Sequence, residues 1–98
     1  MKLDVAFRAV ARNELADAAG WYEGQRVGLG ADFMKEISRC VNAAAQQPRA
    51  FKAVDGDIRR VVARRFPYCV YFRQDPARIV VLGVLHSSRD SRVWQRRR

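Results

Sequence analysis

Hydrophobic and polar positions alternate over residues 2–7, where Leu3, Val5 and Phe7 oppose Lys2, Asp4 and Ala6. Side chains of a strand point to opposite faces in turn, so this spacing predicts a short strand with one buried face. From Arg8 the period lengthens. Ala11, Leu15, Ala18 and Tyr22 fall at i, i+4, i+7 and i+11, one stripe of a helix, until Gly24 and Gly28 interrupt it. From about Gly30 to Gln47 a second stripe runs through Phe33, Ile37, Cys40, Val41 and Ala44. Asp32, Lys35, Glu36, Arg39, Asn42 and Gln46 occupy its wet face, and Pro48 ends it. Asp32 falls in the first turn, where a negative charge suits the helix dipole. Two amphipathic helices with a short glycine-containing connection predict a helical hairpin.

The second half reads as strands. Gly56 marks a turn, and "IRRVVARRF" (58–66) carries arginines toward both faces. "YCVYFRQ" (68–74) alternates Tyr68, Val70 and Phe72 against Cys69, Tyr71 and Arg73. "DPAR" (75–78) has turn chemistry. "IVVLGVLH" (79–86) is apolar on both faces, which predicts a central strand covered on both sides for part of its length. The expected fold is α+β, in the order β-α-α-β-β-β. A helical hairpin packs on a mostly antiparallel sheet in a two-layer single domain over residues 1–98.

Composition narrows the class. The 98 residues suffice for one core, and 49% hydrophobic content excludes a disordered chain. No apolar run approaches the roughly 20 residues of a membrane span. Asp4 and Arg8 interrupt any signal-peptide core, so a cytoplasmic location is expected. Cys40 and Cys69 stand apart in apolar settings, as reduced core cysteines do. With one histidine and no CxxC pair, neither a metal site nor a cofactor is expected.

Charge adds a partner. Residues 1–48 hold six Lys/Arg and six Asp/Glu; residues 49–98 hold thirteen Lys/Arg and four Asp, and so the whole excess of +9. Sixteen of the nineteen cations are arginine, the residue suited to bidentate contact with carboxylate or phosphate. An acidic protein or a nucleic acid is the implied partner.

The stretch "RRFPYCVYFRQDPARIVVLGVLHSSRDSRVW" (64–94) resembles the ParE branch of the RelE/ParE toxins of bacterial type II toxin–antitoxin systems. The resemblance lies in FPY before the middle strand, Tyr-Phe-Arg near its end, and a last strand closing on "VLH". An Arg-Asp pair, Trp94 and a basic end follow. "WY" late in the first helix and "GLGADFMKEI" opening the second are similar too. The resemblance implies a growth-inhibiting toxin, of the kind used in plasmid stabilisation, held in a hetero-oligomer by an acidic ParD-like antitoxin with a ribbon-helix-helix DNA-binding part. Its implied target is DNA gyrase or the gyrase–DNA complex, met by binding rather than by catalysis.

The RelE branch implies instead an mRNA endoribonuclease, with His86 as acid or base and Arg64 and Arg73 bracing a phosphate. The C-terminal segment lacks an aromatic hydroxyl, and no Glu follows Glu36 to serve as base, which favours the ParE branch. A third alternative is a non-toxic basic binding domain. Target contacts are expected at His86, Arg89, Asp90, Trp94, Arg96, Arg97 and Arg98. Antitoxin contacts are expected at Trp21, Tyr22, Arg59, Arg60, Tyr71 and Arg73. The hairpin is expected to leave apolar residues such as Trp21 exposed for the antitoxin.

Overall fold

In a computed structural model, the structure describes residues 2–89. Strand β1 (Asp4–Phe7) leads into helix α1 (Ala9–Gln25) and helix α2 (Leu29–Gln46). A 3-10 turn (Pro48–Ala50) precedes β2 (Lys52–Asp55), β3 (Ile58–Val62), β4 (Tyr68–Gln74) and β5 (Arg78–His86). Among the described residues the sheet order is β1-β5-β4-β3-β2. Only the β1–β5 pairing is parallel.

The α+β architecture matches the expectation, with one strand added and one shortened. The added strand, β2, is short and largely exposed, so its sequence KAVD carries almost no buried face to recognise. It pairs with β3 around the Gly56 turn, where φ is +58°. The strand expected over 58–66 ends at Val62, because the chain turns there and Arg65 adopts a left-handed φ of +73°. Gly24 lies inside α1 rather than breaking it. The break comes at Gly28, whose φ of +90° sets the turn into α2.

Helix α2 buries the predicted stripe: Phe33, Ile37, Cys40, Val41 and Ala44 are all buried. It lies on one sheet face together with α1, against Val61, Val70, Phe72, Ile79, Val81 and Val84. The two helices approach closely at Gly30. A Cβ built there would stand 2.6 Å from the Ala19 carbonyl oxygen. The same approach brings Glu23 of α1 over the open end of α2. Its carboxylate accepts from the Gly28 N–H (2.9 Å) and the Gly30 N–H (3.0 Å), so α1 caps α2.

The opposite sheet face holds a second cluster: Ile58, Cys69, Tyr71, Val80, Leu82 and Leu85. Strand β5 therefore buries both faces, as its unbroken apolar run predicts. A bulge sets which residue faces which way. Tyr71 pairs with Gly83 and Phe72 with Val81, leaving Leu82 without an opposite residue. Ile79 and Val81 face the helices before the bulge, and Val84 does after it. Without the extra residue the alternation would continue through Gly83 and Leu85, and His86 would fall on the far face. The bulge thus turns His86 to the helix side, opposite Tyr68.

Cys40 and Cys69 are free and buried, as expected of core thiols. Burial pushes Cys40 up to about 11, so it stays protonated. No described helix is long and apolar enough to cross a membrane.

Helix α2 is tied to the β3–β4 connection through Glu36. Its carboxylate accepts from Arg39 Nε (2.8 Å) and Nη2 (2.7 Å), and from the Arg64 backbone N–H (2.6 Å). The Arg39 hydrogen bonds, more than the Arg64 N–H, hold this carboxyl down at about 2 against its own burial. A depressed carboxyl stabilises the fold above its ordinary value of 4.5, and that contribution is lost as pH falls from there through about 2. Arg39 is more than a third exposed, so solvent screens the pair. Glu36→Gln is expected to cost about 1–2 kcal/mol at neutral pH. The gap to the wild type should close as the pH approaches 2. Urea unfolding at pH 7, 4 and 2.5 checks this; a gap independent of pH would show that the carboxylate's charge contributes nothing.

Candidate functional site

His86 ends β5, and its ring meets Tyr68 edge to face with centroids 5.3 Å apart. Four hydrogen bonds hold the turn after it. The Arg89 N–H donates to the His86 carbonyl (2.9 Å), and the Ser87 N–H to the Pro67 carbonyl (2.8 Å). The Ser88 N–H donates to His86 Nδ1 (3.1 Å), and Ser88 Oγ lies 2.8 Å from the same nitrogen. A ring nitrogen that accepts from a backbone N–H carries no proton, so the neutral ring bears its proton on Nε2.

Helix α1 supplies the facing wall. Strand β1 stops at Phe7, so among the described residues no strand lies beside β5 beyond Val81 on that edge. Glu14 takes one of the exposed donors, with Oε1 3.1 Å from the Val84 N–H. Asp17 and Trp21 follow one and two turns further along the same helix side. Together these groups line an open cleft of about 340 Å³, floored by Tyr68 and Val84 and closed at one end by His86 and Arg89. Trp21 is 61% exposed, as expected of the hairpin.

Behind the cleft lies an aromatic core. Tyr22 contacts Phe66 (4.9 Å between centroids), Phe33 (5.1 Å) and Tyr68 (6.1 Å), and Phe33 contacts Tyr68 at 5.0 Å. Trp21 packs edge-on against Tyr22 at 5.1 Å. Burial raises both the Tyr22 and Tyr68 phenols above their ordinary value, so each remains a neutral O–H.

The structure brings together Trp21, Tyr22, His86 and Arg89. It does not bring together the three residues of the nuclease alternative. Arg73 pairs with Val80 while Tyr68 pairs with His86, so Arg73 and His86 are five strand positions apart, about 17 Å. Arg73 is held at the far end by Asp75, at 2.6 Å. Arg64 lies in a separate depression with Lys35, Glu36, Arg39 and Arg65.

The expected antitoxin residues also divide. Arg59 and Arg60 are neighbours on one strand, so only one can lie on the face away from the helices. Arg59 shares the helix-side parity of Val61, and its Nη1 donates to the Phe51 carbonyl at 2.7 Å. Arg60 faces the other side, beside Tyr71 and Cys69. Tyr71 is only 4% exposed and belongs to the second cluster, while Tyr22 is half-buried. Asp90, Trp94, Arg96, Arg97 and Arg98 lie outside the described residues.

Sequence reading missed Glu14, Asp17 and Tyr68. Their places depend on the β5 bulge and on where β1 stops, and neither leaves a periodic signal. The WY pair at 21–22 was the one local hint that α1 carries more aromatic surface than its own core contact uses.

A helical hairpin on a five-stranded sheet, with an aromatic cleft at one end, defines a small two-layer α+β protein. A family model described as "ParE toxin of type II toxin-antitoxin system, parDE" matches residues 5–91, and the chain belongs to that family. A solved chain titled "Chromosomal ParDE TA system from P. aeruginosa" is similar over 87% of this chain and 96% of that one, with a TM-score of 0.69. At 15% identity this likeness speaks for the fold alone. No curated protein matches the chain in sequence.

Proposed function

We propose that this ParE-family chain is a cytoplasmic toxin that stops growth by binding DNA gyrase, or gyrase with its DNA, and performs no nucleic-acid cleavage itself. A cognate acidic antitoxin neutralises it in a hetero-oligomer. The observation that favours binding over cleavage is the separation of the candidate nuclease groups. A nuclease needs a base, an acid and a cation around one phosphate, within hydrogen-bond reach. Here Arg73 stands about 17 Å along the sheet from His86 and is neutralised by Asp75. The His86 ring spends Nδ1 on Ser88.

The exposed Trp21 and the neutral hairpin beside a basic half fit an acidic antitoxin tail that folds on binding. Of the sequence candidates, Trp21, Tyr22 and Arg60 are assigned to that contact. His86 and Arg89 are assigned to the target, along with the C-terminal residues Asp90, Trp94, Arg96, Arg97 and Arg98.

The test is induction in a bacterial host with two readouts, DNA-damage response and mRNA integrity, followed by gyrase cleavage-complex formation in vitro. Damage response and trapped complexes with intact mRNA are expected. His86→Ala should reduce toxicity less than about tenfold, whereas a nuclease losing its acid or base loses about 10²–10⁴-fold. Rapid mRNA cleavage that disappears in a folded His86→Ala variant would overturn the reading.

A further inference from the structure

We propose that the His86 end of the sheet binds single-stranded DNA, with one unstacked base in the cleft between α1 and β5 and the flanking phosphates on the surrounding arginines. The choice of DNA rests on the gyrase reading above; the cleft chemistry does not.

The cleft has the size and walls for a flat ring. Its volume of about 340 Å³ lies at the lower end of small-ligand sites. Trp21 stands exposed on one wall, and the Tyr68–His86 pair forms the floor. A base stacked on an aromatic side chain gains from any base identity, because every base has a π face.

Its polar groups suit a base edge. Glu14 is committed to the Val84 N–H. Asp17 lines the same cleft and has no hydrogen-bond or ion-pair partner among the described residues. A carboxylate only accepts, so it selects an edge that donates. The exocyclic amines of adenine, cytosine and guanine donate; an unpaired thymine donates only through N3–H, whose two flanking carbonyl oxygens repel a carboxylate.

Arg89 closes one end of the cleft, and two further arginines lie beyond it, where phosphates would run. The 63–67 connection and the 86–89 turn are joined by the bond from the Ser87 N–H to the Pro67 carbonyl. Arg89 lines the cleft itself, while Arg64 and Arg65 belong to the neighbouring depression on the other side of that bond. Arg65 is anchored by Asp32 at 3.2 Å, and the Arg64 guanidinium has no partner among the described residues. This arrangement separates the candidate ligands. An acidic peptide would meet arginines at the rim but two carboxylates inside. A nucleotide carries its charge on the phosphate and puts a neutral base inside. A duplex keeps its bases paired and stacked, so only a single strand fills both parts.

The experiment is fluorescence anisotropy of the full-length chain with labelled 12-mers: single-stranded DNA, the matching duplex and the matching RNA, over a salt series. Single-stranded DNA is expected to bind at least tenfold tighter than duplex and at least as tightly as RNA. Oligo-dC should bind more tightly than oligo-dT. Trp21→Ala should weaken single-strand binding about tenfold or more, with an unchanged melting temperature. Asp17→Ala should remove the dC-over-dT preference, and Arg64→Ala with Arg89→Ala should flatten the salt dependence. Equal affinity for duplex, an unaffected Trp21→Ala variant, or tighter binding of RNA would each overturn the proposal. Gyrase trapping is scored separately with the same variants. Trapping without single-strand binding refutes this inference alone, and single-strand binding without trapping refutes the gyrase reading alone.

Discussion

Phe33→Ala is expected to lower stability by about 3–5 kcal/mol, the range for truncating a buried aromatic. Phe33 is fully buried in the first turns of α2 and meets Tyr22, Phe66 and Tyr68 at centroid distances of 5.0–5.3 Å. Those three rings come from α1, the β3–β4 connection and β4, so one side chain joins both helices to the sheet. Its removal leaves a cavity that none of the three can fill without abandoning the others. Tyr68 is also the floor of the cleft. The variant should therefore lose toxicity at growth temperature beyond what a drop in protein level explains. Denaturant unfolding gives the energy, and Phe33→Leu, which refills most of the volume, should recover more than half of it. A loss under about 1 kcal/mol would mean that the aromatic cluster is not the joint between layers.

The elements with a strong period were legible in the sequence. Helix α2 was, because its apolar stripe is unbroken from Phe33 to Ala44 and each of those residues is buried. Strand β5 was, because seven apolar residues in a row, 79–85, fit a strand covered on both faces. Strand β2 was not, because an edge strand exposing Lys52 and Ala53 has little pattern to show. The end of β3 was not, because Ala63 and Phe66 remain apolar and buried after the strand stops and keep its pattern going.

The candidate site was legible only at its ends. His86 drew notice as the single histidine, and Trp21 as an aromatic with no core to enter. What joins them is a register change and a strand that stops early. One extra residue at Leu82 brings His86 round to Tyr68, and the end of β1 at Phe7 lets α1 reach the β5 edge through Glu14. The strand arginines show the converse. Arg59, Arg60 and Arg73 were expected together among the antitoxin contacts, but alternation and the Asp75 ion pair give each a separate local partner.

Gly30→Ala is expected to cost about 1–3 kcal/mol, as overpacking of a tight contact does, despite alanine's better helix propensity. The added methyl would stand 2.6 Å from the Ala19 carbonyl oxygen and 3.0 Å from Glu23. The first contact is with backbone, so relief requires the helices to part. Glu23 would then move off the Gly28 and Gly30 N–H groups it caps, which loses hydrogen bonds at the start of α2. Glu23→Gln separates the two contributions. It keeps the helix approach, weakens the charged cap, and should cost only about 0.5–1.5 kcal/mol. Parting the helices also shifts Trp21, two residues after Ala19, relative to Tyr68. Gly30→Ala should therefore alter Trp21 fluorescence in the folded state, while Glu23→Gln should not. If Gly30→Ala is instead neutral or stabilising, the α1–α2 contact must be able to open by several tenths of an ångström at no cost. The cleft wall carried by α1 would then not be held in place by the hairpin.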